Sequence, residues 1–158
     1  MAQQNFIWLD GEDMTISAKA STAIVAGDIV YAAGGTGEPF GTTVPSGVDY
    51  TDIPVLKVAA GTATQGALTI GVALGDAASG SQVTIATEGI FLSPAEGGTN
   101  VTAGDLLRPA YNETTAGVAI IAQTSTAIKT YKAHAQIIGR AITGAATEGH
   151  YVMWKLRV

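Results

Sequence analysis

Two histidines, His134 and His150, and two aspartates in matching contexts, Asp28 and Asp105, are the residues of this 158-residue chain around which chemistry could be built. A zinc site needs three or four ligands converging on a tetrahedron. His134 and His150 share no metal-ligand spacing, so both read as solvent-facing strand or turn residues and no metal is expected. Asp28 and Asp105 each follow a glycine, in Ala26-Gly27-Asp28 and Ala103-Gly104-Asp105. General acid–base work needs two carboxylates facing one substrate with pKa values held apart, and no nucleophile or binding motif adjoins either one. The turn explains them better: Gly27 and Gly104 can take φ > 0, and an aspartate after such a glycine can accept from a nearby backbone amide.

The other chemical signals are weaker. Residues 34–41 are rich in glycine but lack the Gly-Lys-Ser/Thr ending of a phosphate loop. Asn100-Val101-Thr102 and Asn112-Glu113-Thr114 match the glycosylation acceptor pattern, yet Met1-Ala2-Gln3-Gln4-Asn5 has no basic segment ahead of an apolar one, so no secretory route is expected. The quartet Ala-Thr-Glu-Gly occurs at residues 86–89 and 146–149, where it reads as turn chemistry. No catalytic residue, cofactor or metal is assigned, and an enzyme is not expected.

The composition points the same way. Charged residues make up 13% of the chain, about half the ~25% of an ordinary soluble domain. Alanine, glycine and threonine supply 27, 20 and 20 residues, a mixture that lets sheets approach closely and disfavours long helices. Cysteine is absent, which excludes disulfides and thiolate chemistry. No apolar run approaches the ~20 residues of a membrane helix. Residues 1–100 carry ten acids and two bases, residues 101–158 three acids and six bases. That distribution argues against nucleic-acid binding, which needs a concentrated basic surface. Either the charges are scattered over a sparse surface, or acidic and basic faces of neighbouring copies meet head to tail.

The elements that carry these residues repeat. Ile70-Gly71-Val72-Ala73-Leu74-Gly75-Asp76-Ala77-Ala78-Ser79-Gly80, leading to Val83 and Ile85, returns as Ile138-Gly139-Arg140-Ala141-Ile142-Thr143-Gly144-Ala145-Ala146-Thr147-Glu148-Gly149, leading to Val152 and Trp154. One extra residue before Gly144 aligns the copies, and each is preceded by its Ala-Gly-Asp turn. Short apolar runs bounded by Gly, Asp, Ser and Pro recur throughout, the pattern of an all-β sandwich or barrel. Leu68, Ile70, Val72 and Leu74 alternate with small residues and are expected on one face; Val152, Trp154 and Leu156 alternate with Tyr151, Met153 and Lys155. The adjacent Ile137 and Ile138 suggest a bulge. Residues 118–138, free of Gly and Pro, are the best place for a helix, though their threonine and isoleucine content favours strands. The reading is one all-β domain, a compact barrel with two pseudo-repeated halves over residues 23–158, a long surface loop at 34–51, and an extended N-terminal arm at 1–22.

The arm concentrates aromatics in Asn5-Phe6-Ile7-Trp8-Leu9 ahead of the acidic turn Asp10-Gly11-Glu12-Asp13. So apolar a segment must dock, either on its own barrel, with Trp8 plugging an open end, or by strand addition to another protein, with Phe6 and Trp8 filling pockets.

The run from Ile70 through Val83-Thr84-Ile85-Ala86-Thr87-Glu88-Gly89-Ile90-Phe91, followed by Val101-Thr102-Ala103-Gly104-Asp105 and Ile138-Gly139-Arg140-Ala141-Ile142, resembles the small capsid decoration, or cement, proteins of tailed bacteriophages. The resemblance covers about residues 23–158. It implies a β-barrel or β-tulip domain, made in the host cytoplasm, that binds the outside of an assembled phage head, stabilises it, and associates as a homotrimer. Its partners would be the major capsid protein and itself, with neither nucleic acid nor membrane involved. By position, Gln3, Gln4, Asn5, Phe6, Ile7, Trp8 and Leu9 match the arm that pairs with capsid protein in similar molecules. Two other readings stay open: a carbohydrate- or receptor-binding module on a virion surface, stacking ligands on Trp8, Tyr50 or Tyr111, and a hydrolase built on Asp28 or Asp105.

Overall fold

A computed structural model describes residues 7–10, 14–33, 54–57, 69–95, 100–110, 120–122, 137–147 and 149–157. Those residues form strands, turns and bends and no helix. The strands are β1 (Ile7–Asp10), β2 (Thr15–Ala20), β3 (Ile29–Ala32), β4 (Pro54–Lys57), β5 (Thr69–Ala73), β6 (Gln82–Ala86), β7 (Glu88–Pro94), β8 (Leu106–Pro109), β9 (Ile120–Ala122), β10 (Gly139–Ala141) and β11 (Tyr151–Arg157). The helix considered for 118–138 is replaced at residues 120–122 by β9, as β-branched residues there favour. The loop at 34–51 lies outside the described residues.

Two sheets result, a closed barrel in the order β2-β4-β3-β5-β6 and a six-stranded sheet in the order β1-β7-β11-β10-β8-β9. The second repeats the first. Val30 pairs with Gly71 as Leu107 pairs with Gly139. Ala20 runs parallel to Val55 as Ala95 does to Ile120, and Ala32 faces Val55 as Pro109 faces Ile120. The pairing β2-β4-β3-β5-β6 thus recurs as β7-β9-β8-β10-β11, closed in the second unit by a single bridge at Ala95.

The same pairings correct the repeat alignment. The bridge between Ile24 and Ala77 is the counterpart of that between Val101 and Ala145, so Asp76 corresponds to Gly144. The extra residue falls later, between Ala145 and Gly149.

Each unit has a core. Ala18, Ala20, Val30, Val55, Ala73, Val83 and Ile85 fill the first barrel, with Ile16 and Ile70 packed against them. Phe91, Leu107, Ile120, Ile138, Val152, Trp154 and Leu156 fill the second, joined by Ile29, Val72 and Ala86 from the first unit. Ile70 and Val72 were expected on one face, but they enter different cores. The register skips between Val30↔Gly71 and Tyr31↔Thr69, leaving Ile70 as the extra residue of a bulge that reverses the alternation. The alternation of β11 holds, with Val152, Trp154 and Leu156 at 0% exposure.

Within the segment expected as an N-terminal arm, the described residues Ile7–Asp10 and Thr15–Ala20 are paired strands of the fold. Thr15–Ala20 pairs along its length with β6, with Ala18 and Ala20 fully buried, and Ile7–Asp10 pairs with β7 through Ile7↔Leu92, Trp8↔Phe91 and Asp10↔Ile90. Alternating small residues in β2 meet the barrel interior, which fixes this segment in the fold. β2 pairs with β6 in the first unit and β1 with the adjoining β7 in the second.

Candidate binding surface

The Gly-Asp turns are structural in both units. Gly27 and Gly104 have φ of 92° and 94°. The Val25 amide donates to Asp28 Oδ2 at 2.9 Å, and the Thr102 amide to Asp105 Oδ2 at 2.7 Å. The Ala73 and Ala141 amides donate to the main-chain carbonyls of Asp28 and Asp105, both at 2.9 Å. Each carboxylate therefore closes its own turn. Burial raises the Asp28 pKa above its ordinary value, opposed by the Val25 amide and by Lys57. Asp76 Oδ1 accepts from the Ala26 amide at 2.8 Å, a bond its counterpart Gly144 cannot offer.

His150 is exposed and its carbonyl accepts from the Ala95 amide at 2.8 Å; His134 lies outside the described residues. Among the described residues, no three His, Cys, Asp or Glu side chains cluster to hold a metal. Of the expected arm residues, Ile7, Trp8 and Leu9 lie in β1, an edge strand of the second sheet, while Gln3, Gln4, Asn5 and Phe6 lie outside the described residues, as do Tyr50 and Tyr111.

What the sequence reading missed is the outer face of the second unit. Directly opposed residues share a face, so Ile90, Lys155, Arg140 and Leu106 form a row across β7, β11, β10 and β8. A groove of about 560 Å³ runs there, lined by Glu88, Leu106, Arg140, Ile142 and Lys155 among others. Ile142 and Tyr151 are 43% and 45% exposed. Beside them Ile90, Leu92 and Met153 are half-buried. In the first barrel the counterparts of Ile90, Leu92, Tyr151 and Met153 are Thr15, Ser17, Gln82 and Thr84, all exposed and polar, with Ser17 Oγ donating to Gln82 Oε1 at 3.0 Å; Ile142 matches the apolar Leu74. One set of strand positions is thus polar in one unit and apolar in the other. The fold does not require apolar residues there, which makes this face a candidate interaction surface.

Comparisons with known proteins find relatives of this fold. A family model described as phage cement protein matches residues 8–156. The solved N base of head fiber gp8.5 in bacteriophage phi29 is similar in structure, with a TM-score of 0.52 at 17% identity over 90% of this chain and 92% of that one; the likeness shows a shared all-β fold. No curated protein matches the chain.

Proposed function

The chain belongs to the phage cement protein family, and from that premise we propose that it is a structural virion protein that binds the outer surface of an assembled phage head and stabilises it. The family match over residues 8–156 carries this reading. Asp28 and Asp105 each accept from a backbone amide of their own turn, a structural use of both carboxylates. Its work is mechanical rather than catalytic.

A head presents one site many times, so modest contacts per copy gain strength when linked copies engage several subunits together. We assign the capsid contact to the segment Gln3–Leu9, and we infer that the chain acts as a homotrimer. Support for the segment comes from β1, which stands at the edge of its sheet; edge-strand main-chain groups can pair with a strand of another protein.

The test is to add purified protein to heads that lack it and to follow occupancy by electron microscopy and head survival during heating. Density on the outer surface with a raised disruption temperature is expected. Heads that stay bare at saturating protein would overturn the reading.

A further inference from the structure

The equivalence of the two units gives a face of the molecule an internal reference. Leu106, Arg140, Ile142 and Lys155 on the second unit correspond to Ile29, Val72, Leu74 and Ala86 on the first. In the first unit Ile29, Val72 and Ala86 are 0%, 1% and 0% exposed, because they pack into the core of the second unit, with Leu74 beside them. This is the face by which one copy of the fold receives another within the chain. On the second unit the same positions are open: Arg140, Ile142 and Lys155 are exposed, Leu106 is half-buried, and all four line the 560 Å³ groove.

Two of the four have become cations. Arg140 and Lys155 stand directly opposite each other on β10 and β11, an arrangement that repels. Arg140 Nη1 donates to the Gly104 carbonyl at 3.3 Å; Glu88 also lines the groove, leaving it with one excess positive charge, and among the described residues no carboxylate pairs with either cation. The face therefore suits an apolar surface that brings negative charge. The first unit brings such charge: residues 14–86, which span β2 to β6, carry five acids and two bases, a net charge of −3.

We propose that this groove is the docking site for the first unit of a second copy, so that copies associate head to tail, with the acidic first unit of one meeting Arg140 and Lys155 of the next. Such an interface uses two different patches, and it closes into a ring or extends according to the rotation between copies. The inference rests on the reading that copies associate, and it is independent of which capsid surface they then occupy.

The test is sedimentation equilibrium of the full chain and two variants, with thermal melts to verify that each is folded. Charge reversal in Arg140→Glu/Lys155→Glu is expected to weaken self-association by about tenfold or more, with the melt unchanged because both positions are exposed. Arg140→Val/Lys155→Ala, which copies the first unit, is expected to retain association while losing its sensitivity to added salt. Association unaltered by charge reversal would overturn the assignment. So would a wild-type chain that is monomeric both in solution and on heads, or a charge-reversed chain that associates normally yet no longer binds heads, which would place capsid in the groove.

Discussion

Gly71 and Gly139 occupy one position in the two units, and each lies where a neighbouring backbone leaves no room for a side chain. A Cβ on Gly71 would lie 2.1 Å from the Ala86 carbonyl oxygen, and one on Gly139 2.2 Å from that of Lys155. The glycine of each Ile-Gly phrase thus sets the spacing between β5 and β6 and between β10 and β11.

Gly139→Ala should accordingly destabilise the protein by about 3 kcal/mol or more, above the usual range for overpacking because the obstructing atom belongs to the backbone. The Trp154 ring, 2.8 Å from the same Cβ, adds to the conflict. Gly75→Ala is the control, with nothing within 4 Å of its Cβ, and should stay within about 0.5 kcal/mol of wild type. Urea titrations of the three proteins decide it.

Exchanging residues between the units separates fold from surface. Val72→Arg puts the second unit's residue into a position 1% exposed in the shared core, and an unpaired buried charge should cost more than about 4 kcal/mol or prevent folding. Arg140→Val, on the open face, should change stability by less than about 0.5 kcal/mol. Equal effects in denaturant titration would contradict the assigned contact between units.

Asp28 predicts a pH dependence of defined sign. Burial raises its folded-state pKa above the ordinary 3.8, so the folded chain holds this proton more tightly than the unfolded one. Its contribution is fully present below the unfolded value and is lost as pH rises through the folded one. Asn at this position keeps an acceptor for the Val25 amide without the charge. Asp28→Asn should gain stability relative to wild type as pH rises from about 4 toward neutrality, whereas Asp28→Ala, which removes the acceptor, should lose about 1–2 kcal/mol even in acid. Melts across that pH range test both, and a flat difference between Asp28→Asn and wild type would refute the burial effect.

The turns were legible in sequence because their requirement is local: a glycine at positive φ, then a carboxylate within reach of an amide three residues back. The alternation of Val152, Trp154 and Leu156 was legible for the same reason. Matching Gly75 with Gly144 misplaced the extra residue, because identity was followed where geometry differs. Gly144 takes the place of Asp76, and its Cβ would approach the Val101 carbonyl at 2.9 Å. Ile70 was assigned the wrong face because a bulge reverses alternation without a local signal. The pairing of β1 was hidden since its partner, β7, lies far along the chain. The apolar outer face around Leu92 and Met153 shows its meaning only beside the polar Ser17 and Thr84 of the other unit.

Trp154 is fully buried, and its Nε1 donates to Ser93 Oγ at 3.0 Å while its ring sits 5.6 Å from that of Phe91. Ser93→Ala leaves this buried donor unpaired and should cost about 1–3 kcal/mol. Adding Trp154→Phe removes the donor, so the double variant should be more stable than the sum of the single losses implies. Strict additivity in denaturant titration would show that the hydrogen bond contributes nothing.

Deleting residues 1–10 tests the edge strand in two ways at once. β7 would lose its partner at Ile90, Phe91 and Leu92 but keep seven paired positions with β11 from Glu88 to Pro94. The first barrel, closed by β2, would be untouched. A folded chain with a lowered melting temperature is therefore expected, at a cost of about 1–3 kcal/mol for the lost pairs. If Gln3–Leu9 carries the capsid contact, the truncated chain should also fail to decorate heads at temperatures well below its melt. Normal decoration by a folded truncation would move the contact to another surface, and loss of decoration only where the protein itself unfolds would give this segment a purely structural role.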